Sequence, residues 1–283
     1  MPLPITPDEQ RRRAHAFREL HTGPGAFVIA NAWDAGTARL LGSLGFAALA
    51  TTSAGLAFAL GRADAANLVS REEALANARA IVAATDLPVS ADLENGFGTS
   101  EAAVAETIRL AAATGLVGGS IEDATGDPAD PVYPFDLAVD RVRAAVAAAA
   151  ELDFPFTVTA RAENFLHGRP DLDDTVRRLR AFEAAGADVL FAPGLPDAEA
   201  VRTVCAAVSK PVNVIAAGPI AALTIDQLTE LGARRISVGS AFARLALAAA
   251  QRSAAEILSA GCFTSFAAAM PMPEANKLMS QEL

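Results

Sequence analysis

The chain has 283 residues, of which 52% are hydrophobic and 20% are charged, and its formal net charge is -10. This length suits one α/β barrel, so a single domain over 1–283 is predicted, and the low charge content excludes a disordered chain. Lysine occurs only at Lys210 and Lys277. Because an acidic surface repels phosphate backbones and anionic lipid, the composition argues against a nucleic-acid or membrane partner.

The cysteines and the N-terminal segment indicate the compartment. Cys205 and Cys262 lie in apolar surroundings without CxxC spacing, which predicts buried thiols in a reducing compartment rather than a disulfide or a zinc site. Residues 1–17 lack the apolar stretch of a secretory signal, and no apolar run reaches the roughly 18 residues of a membrane span. A cytoplasmic protein is therefore predicted.

Short runs rich in Val, Ile and Phe alternate with alanine- and arginine-rich segments of helical period. The predicted strands are 27–31, 46–53, 88–94, 118–123, 156–163, 188–193, 211–217 and 235–240. The predicted helices lie near 34–44, 71–84, 100–114, 135–151, 171–185, 197–208, 224–231 and 241–259. Eight strand-then-helix units in one chain predict a parallel (β/α)₈ barrel, the TIM barrel.

An open, doubly wound sheet is the alternative architecture. It normally needs a glycine-rich phosphate loop after the first strand, and the segment NAWDAGTA at 31–38 is not one. The barrel is therefore favoured.

Two segments lie outside the eight units. Residues 1–20 predict a helix before the first strand, and 261–283 predict an extra amphipathic helix. An extra apolar helix either covers one end of a barrel or packs against a neighbouring subunit. Both interpretations of the C-terminal segment remain open.

Polar residues gather where the predicted strands end, which in a barrel is the face that carries the active site. They are Asn31, Trp33 and Asp34; Thr51 to Gly55; Asp92 and Glu94; Glu122 and Asp123; and Arg161 and Glu163. Carboxylates at this density repel one another unless a cation neutralises them. Oxygen ligands without a histidine cluster select Mg²⁺ or Mn²⁺, so a metal site is predicted.

The members of this set have individual alternatives. Asp92 and Glu94 are one residue apart, so both should point to the same side of the third strand. The alternative is that some acids, Glu94 and Asp123 above all, only cap helices. Arg161 could bind a substrate carboxylate through two hydrogen bonds, or it could pair with Glu163 or Glu122. The backbone of Ser53, Ala54 and Gly55 could hold a second anionic group, although a turn at a strand end needs small residues anyway.

Five motifs in order and spacing carry a family resemblance: TTSAG (51–55), GRAD (61–64), SADLENGFG (90–98), SIED (120–123) and TARAEN (159–164). From about 25 to 250 the chain resembles the isocitrate lyase/phosphoenolpyruvate mutase superfamily. The resemblance implies that Asp92 binds Mg²⁺ directly and that Glu94, Glu122 and Asp64 hold the ion's waters. Arg161, Asp64 and Glu122 are expected to serve catalysis. The resemblance further implies that Ser53, Ala54, Gly55 and Arg161 bind the substrate. Glu94 stands where the family usually has Asp, which leaves its coordination open.

The resemblance also implies a reaction. It predicts a Mg²⁺-dependent lyase that cleaves a C–C bond of a small 2-oxo or 2-hydroxy dicarboxylate through a pyruvate-like enolate. C–P mutase or hydrolase chemistry on phosphonopyruvate-like substrates, hydrolysis or decarboxylation of oxaloacetate, and a catalytically weak barrel that binds oxo acids remain as alternatives. A homotetramer that exchanges the last helix between subunits is expected.

The predicted loop 123–136 departs from the family pattern. The C–C lyases carry Lys, Cys and Gly there, and the C–P mutases carry Lys and Asn, whereas DATGDPADPVYPFD contains no Lys, Cys or Asn. Isocitrate cleavage is therefore expected to be slow or absent. Whether this loop gates the site stays open, as does whether Tyr133 donates a proton or only packs. His167 could reach the mouth of the site or lie on the surface, and Asn213 is expected to bond inside the barrel.

Overall fold

Eight parallel strands close into a barrel in sequence order, β1 to β8, in a computed structural model that describes residues 5–280. Their bounds are β1 Phe27–Asn31, β2 Ala48–Ala50, β3 Val89–Asp92, β4 Gly118–Glu122, β5 Thr157–Arg161, β6 Val189–Phe191, β7 Val212–Ile215 and β8 Arg235–Ser237. The predicted (β/α)₈ barrel is confirmed. Each strand lies inside its predicted run, and all except β1 are shorter than predicted.

The helices cover the outside of the barrel and its amino end. Their bounds are α1 Pro7–Thr22, α2 Ala35–Ser43, α3 Ser53–Ala59, α4 Arg71–Val82, α5 Glu101–Ala112, α6 Phe135–Ala150, α7 Leu172–Ala184, α8 Ala198–Ala207, α9 Ile225–Glu230, α10 Ala241–Ala260 and α11 Met272–Ser280. Two 3₁₀ turns, Gly218–Ala222 and Thr264–Ala268, complete the elements. Buried Leu, Ile, Val, Phe and Ala side chains form the core between the sheet and this helical layer.

Two sequence-based boundaries are corrected. The predicted strand 46–53 ends at Ala50, and Ser53 begins α3, since the Thr52 hydroxyl caps that helix by accepting from the Gly55 N–H at 3.2 Å. The predicted helix 261–283 is instead a 3₁₀ turn followed by α11, because Gly261 ends α10 in the left-handed conformation (φ 64°). Residues 1–4 and 281–283, which belong to the two predicted terminal helices, lie outside the described residues.

The register of the sheet sets the depth of each residue in the barrel. Arg161 pairs with Phe191, Phe191 with Asn213, and Asn213 with Arg235. Arg161 is the last residue of β5, whereas Arg235 is the first residue of β8. This line of register partners therefore descends from the carboxyl end of the barrel to its amino end.

α1 closes the amino end through an aromatic cluster. The rings of Phe17 and His21 on this helix contact each other and Phe27 edge to face. The centroid of the His21 ring lies 4.8 Å from that of Phe17 and 5.0 Å from that of Phe27. The His21 Nδ1 lies 2.8 Å from the Phe17 carbonyl oxygen, which can only accept, so Nδ1 carries the proton. Burial and the nearby charge of Arg235 lower the pKa of His21 to about 3. His21 is therefore neutral in the folded protein.

No helix among residues 5–280 combines the length and the apolar character that crossing a membrane requires.

The neutral His21 predicts how stability depends on pH. Its pKa is about 3 in the folded chain and about 6.5 in an unfolded chain. Between these values the unfolded state binds the additional proton, so the free energy of unfolding decreases as the pH falls below about 6.5. In urea titrations at pH 7 and pH 4.5, we expect His21→Gln to lose less stability on acidification than the wild type, by about 2–3 kcal/mol. The exposed His15→Gln on the same helix is the control; an equal loss in all three proteins would contradict the neutral, buried state of His21.

Candidate active site

Asp92 lies at the centre of the polar groups on the carboxyl face of the barrel. It ends β3 and accepts from the Ser53 hydroxyl at 2.8 Å and from Arg161 Nη1 at 2.9 Å. The Thr51 hydroxyl accepts from the Asp92 N–H at 2.9 Å, which links β2 and β3 at this point. Residues from the ends of β2, β3 and β5 therefore meet at one carboxylate.

Arg161 connects the acids of three neighbouring strands. Besides Asp92, its Nη1 lies 3.1 Å from Glu122 Oε2, and its Nε donates to Glu163 Oε1 at 2.9 Å. Only 13% of the Arg161 side chain is exposed. The structure thus shows the ion-pair interpretation of Arg161, and binding of a substrate carboxylate stays a prediction.

Negative charge exceeds positive charge around this arginine. Burial raises the pKa of Glu94 to about 7, and the charges of Asp92 and Asp64 add to the shift. Burial also holds the pKa of Glu122 well above its usual range, although Arg161 opposes the shift. The pKa of Asp64 is raised by burial and by Asp92. The predicted mutual repulsion of the acids is therefore present in the folded chain.

Asp92 and Glu94 do not lie on one strand, as the prediction that they point to the same side of it assumed. β3 ends at Asp92, and Glu94 adopts a left-handed backbone (φ 47°), so the two-residue periodicity of a strand does not extend to it. The Glu94 N–H instead donates to Asp92 Oδ1 at 3.3 Å. A turn after the strand, and not the strand itself, therefore brings the Glu94 side chain near Asp92.

Two acids at this face have other partners. Asp34 caps α2 by accepting from the Thr37 N–H at 2.7 Å. Asp123 does not cap a helix, contrary to the alternative considered for it: it accepts from the Glu163 N–H at 2.8 Å and from Arg178 Nη1 at 2.9 Å. This buried pair fixes the backbone of Glu163, which in turn holds Arg161. Sequence reasoning did not identify Arg178, since it lies in the middle of α7 and far from any strand end.

The segment Ser53 to Gly55 forms the first turn of α3. The Ser53 N–H and hydroxyl both point to Asp92, whereas the Gly55 N–H is used in the helix cap. A Cβ on Gly55 would lie 2.5 Å from Thr52 Cγ2 and 2.9 Å from Trp33 Cβ, so only glycine fits. Its role as a substrate-binding segment stays a prediction.

The loop after β4 is anchored away from these residues. Ala124 and Val132 form an isolated bridge, and the Asn67 and Asn95 side chains donate to the Thr125 carbonyl at 3.4 and 3.3 Å. Tyr133 is buried, with the Arg141 guanidinium 4.2 Å from its ring centroid. The packing interpretation of Tyr133 thus agrees with the structure.

A cavity of about 240 Å³ opens at this face and extends into the barrel. Asp92, Arg161, Ser53 and Asp64 line its upper part, and Asn213, Arg235 and Ser237 line its lower part. Residues 123–136 and His167 are not among its lining residues. A cleft of about 430 Å³ lies at the amino end beside α1, but it lacks the carboxylate cluster, so the smaller cavity is the candidate active site.

The donor set of this site suits a hard cation that keeps much of its water. Among residues 5–280, no three His, Cys, Asp or Glu side chains approach closely enough to hold a metal by themselves. Mg²⁺ commonly uses one or two carboxylates and retains several waters. Asp92, with desolvated acids around it at longer range, fits that mode of binding and does not fit a closed, all-protein site such as that of structural zinc.

Comparisons with known proteins identify the family of this chain. The sequence matches the phosphoenolpyruvate phosphomutase family over residues 17–258. A crystal structure from Burkholderia cenocepacia, provisionally assigned as a lyase/mutase, superposes with a TM-score of 0.94 at 55% identity and covers 97% of this chain and 98% of that one.

Two curated relatives have named activities. The 2-methylisocitrate lyase of Escherichia coli is 29% identical over 75% of this chain and 73% of its own length. The oxaloacetate decarboxylase of Paraburkholderia xenovorans is 29% identical over 84% of this chain and 78% of its own length.

The chain belongs to the phosphoenolpyruvate phosphomutase family, within the isocitrate lyase/phosphoenolpyruvate mutase superfamily. The resemblance stated from the sequence is confirmed, and so is the prediction of an enzyme of the carbon–carbon lyase type.

The ion pairs of Arg161 predict a large effect on stability. Arg161→Met leaves Asp92, Glu122 and Glu163 without their cation, so we expect the free energy of unfolding at pH 8 to fall by about 3–5 kcal/mol. Because burial raises the pKa of Glu122, the loss should be smaller at pH 5.5, and added Mg²⁺ should reduce it at pH 8. Urea titration measures each effect.

Arg109→Met is the matched control, because Arg109 makes a two-point ion pair with Glu151 on the surface. It should change stability much less. An equal effect of the two substitutions would show that the carboxylates around Arg161 are not buried as described.

Proposed function

We propose that the enzyme is a Mg²⁺- or Mn²⁺-dependent lyase that cleaves a C–C bond of a small 2-oxo or 2-hydroxy dicarboxylate. The observation that carries this proposal is the meeting of Asp92 and Arg161, surrounded by an excess of carboxylates, at the mouth of a cavity in the barrel. Such a site can hold a divalent cation and a carboxylate side by side. The 2-methylisocitrate lyase and the oxaloacetate decarboxylase among the relatives support this substrate class.

In this proposal Asp92 would hold the metal ion directly, and Glu94, Glu122 and Asp64 would hold the waters around it. When bound, the ion supplies positive charge beside the carboxylate and carbonyl oxygens of the substrate. The Ser53 hydroxyl, 2.8 Å from Asp92, fixes the orientation of that carboxylate.

Arg161 binds the substrate carboxylate in this proposal. Its Nε and Nη1 are engaged by acids, whereas its Nη2 has no hydrogen bond to any of residues 5–280, and the side chain lines the cavity. Glu163 accepts from Nε of Arg161, which fixes the orientation of the guanidinium plane. Nη2 is therefore the part of the guanidinium that remains free to donate charge-assisted hydrogen bonds to a substrate carboxylate.

The cavity offers no thiol as a proton donor among the described residues. Cys205 lies on α8 beside Gly232, outside the barrel, and Cys262 lies near Glu256 after α10. Both cysteines are half-buried, whereas the sequence predicted buried thiols. The superfamily's lyases that cleave isocitrate use a thiol of the loop after β4, so the absence of one here favours smaller substrates.

The match to phosphoenolpyruvate phosphomutase favours a second candidate, C–P chemistry on phosphonopyruvate-like substrates. It would use the same metal and Arg161. Release of phosphate rather than pyruvate or a related oxo acid separates hydrolysis of the C–P bond from C–C cleavage, and a mutase would interconvert phosphonate and phosphate ester. The cytoplasmic location remains a prediction.

The proposed function is tested on a panel of 2-oxo and 2-hydroxy dicarboxylates, isocitrate and phosphonopyruvate. With Mg²⁺ the wild type should release an oxo acid from a small dicarboxylate, and isocitrate should turn over about 10²–10⁴-fold more slowly because a positioned general acid is missing. Asp92→Ala should abolish turnover, and calorimetry should show that it no longer binds Mg²⁺.

Asp34→Ala is the control, since Asp34 lies at the same face but caps α2 and does not line the cavity. Full turnover in EDTA would overturn the metal dependence. Binding of oxo acids without any turnover would favour the catalytically weak barrel.

A homotetramer is part of this proposal. α10 buries only Ala243 among its 20 residues, and α10 and the segment after it expose large apolar side chains. These are Leu245, Leu247, Leu258, Phe263, Phe266, Met270 and Met272. A patch of this kind is typical of a subunit interface, and α11, which packs against α2, is the helix that subunits would exchange.

Light scattering at micromolar concentration should therefore give four times the chain mass of 29.0 kDa. Leu258→Asp, at a side chain that is 88% exposed in the single chain, should lower the mass. Leu44→Asp, 67% exposed on the far end of α2, should leave it unchanged. A monomeric mass for the wild type counts decisively against the tetramer.

A further inference from the structure

Arg235 is a buried cation in the interior of the barrel with only neutral partners. It is 5% exposed, and its Nε donates to Asn213 Oδ1 at 2.9 Å while its Nη2 donates to Thr159 Oγ1 at 3.0 Å. Its Nη1 lies 3.4 Å from Nε2 of the neutral His21. Among residues 5–280, no Asp or Glu forms an ion pair with it, and burial alone lowers its pKa, to about 9, so it remains charged at neutral pH.

Most of the other arginines in the interior have a carboxylate partner. Arg13, Arg161 and Arg178 pair with carboxylates. Arg141 donates to three backbone carbonyls and lies over the Tyr133 ring. A buried charge without a counter-charge is unfavourable. A negative group beside Arg235 would balance its charge, and its surroundings supply none among the described residues.

Arg235 faces the same cavity as Asp92 and Arg161. By the register described above it lies below Arg161, by about 8 Å along the barrel axis for strands of ordinary spacing and tilt. The cavity is therefore continuous from the metal-binding acids to this second cation.

Hydroxyl groups line the cavity between its two ends. Ser90, Ser120 and Ser237 lie there, where a barrel of this type usually has branched apolar side chains. The Ser90 and Ser120 hydroxyls have no hydrogen-bond partner among the described residues, and Ser237 Oγ accepts from Asn213 Nδ2, which leaves its own O–H free to donate. A cation and three available hydroxyl groups form a surface complementary to an oxyanion.

We propose that this floor of the cavity binds the distal carboxylate of the substrate, with Arg235 as the residue that makes the enzyme select dicarboxylates. This inference rests on the proposed function and adds the second recognition point to it. The upper part of the cavity is rich in carboxylates and repels a second anionic group beyond the one that Arg161 and the metal accept. The floor attracts this second group because Arg235 is positively charged. One carboxylate of a short dicarboxylate therefore binds at the upper part of the cavity and the distal carboxylate binds at the floor.

The test compares each dicarboxylate with the analogue in which the distal carboxylate is an amide or a methyl group. In the wild type, kcat/KM should be higher for the dicarboxylate than for its analogue. Arg235→Met should reduce the ratio of these two kcat/KM values at least about 10-fold, as expected for the loss of a charge-assisted hydrogen bond. A purely structural role of Arg235 would lower both values equally and leave the ratio unchanged, which would overturn the proposal.

Two further variants keep the test decisive. Arg234→Met is the matched control, because Arg234 is the neighbouring arginine but is exposed on the outside of the barrel, and it should preserve the ratio. Arg235→Gln can still donate to Asn213 and Thr159 without the charge. If Arg235→Met does not fold, Arg235→Gln should show the same loss of preference, and an unchanged ratio in it also overturns the proposal.

A binding measurement separates this inference from the proposed function. In Asp92→Ala without metal, succinate should raise the thermal unfolding temperature more than butyrate does, and Arg235→Met in that background should remove the difference. This result is independent of turnover, so it stands even if no oxo acid is cleaved. The absence of any difference in Asp92→Ala would overturn the proposal.

Formate distinguishes a substrate carboxylate from a free anion as the occupant. If the floor holds the distal carboxylate, formate should compete with succinate and should weaken butyrate binding little. If formate raises the unfolding temperature through Arg235 while succinate binds independently of it, the floor is a free-anion site and the proposal for the substrate is wrong.

Discussion

One arginine holds together the acids that define this enzyme. Arg161 binds carboxylates that end β3, β4 and β5, and without it their repulsion would act in a site where water screens little. Burial, and to a lesser degree the charges of neighbouring acids, keeps the pKa values of Glu94 and Glu122 raised even beside Arg161. The site is therefore ready for a further positive charge, which is what a divalent cation provides. Asp123 and Arg178 extend this support to the helix behind, since they fix the backbone of Glu163.

The sequence predicted the architecture well because two local signals agree. Apolar runs of strand length alternate with helical periods, and the parallel barrel then brings the strand ends together without further information. Glu122 and Arg161 are direct register partners, as are Asp92 and Ser120, so reading residues at strand ends was enough to group Asp92, Glu122 and Arg161. The family resemblance added Asp64, which lies on a loop and has no strand position to mark it.

What the sequence did not predict depends on backbone turns and on depth within the barrel. Glu94 follows the strand in a left-handed conformation, and Ser53 opens a short helix rather than ending a strand. Neither change leaves a periodic signal. Asn213 was expected to bond inside the barrel and does so, but its partner Arg235 was passed over because it begins a strand. Its place in the cavity follows from the descending register, which is a property of the closed sheet and not of any one segment.

Closure of this barrel also determines the order in which the chain can become stable. β1 pairs with β8, and Asn31 Oδ1 accepts from the N–H groups of Val238 and Gly239, more than 200 residues later in the chain. α1 makes its last contact at the same stage, since His21 contacts Arg235 at a sequence separation of 214. During synthesis, the first strand therefore gains its second neighbour, and the first helix its last partner, only after the last strand has left the ribosome. Contacts of such long range slow folding and keep apolar edges exposed meanwhile, so the N-terminal segment is where a chaperone would have most to protect.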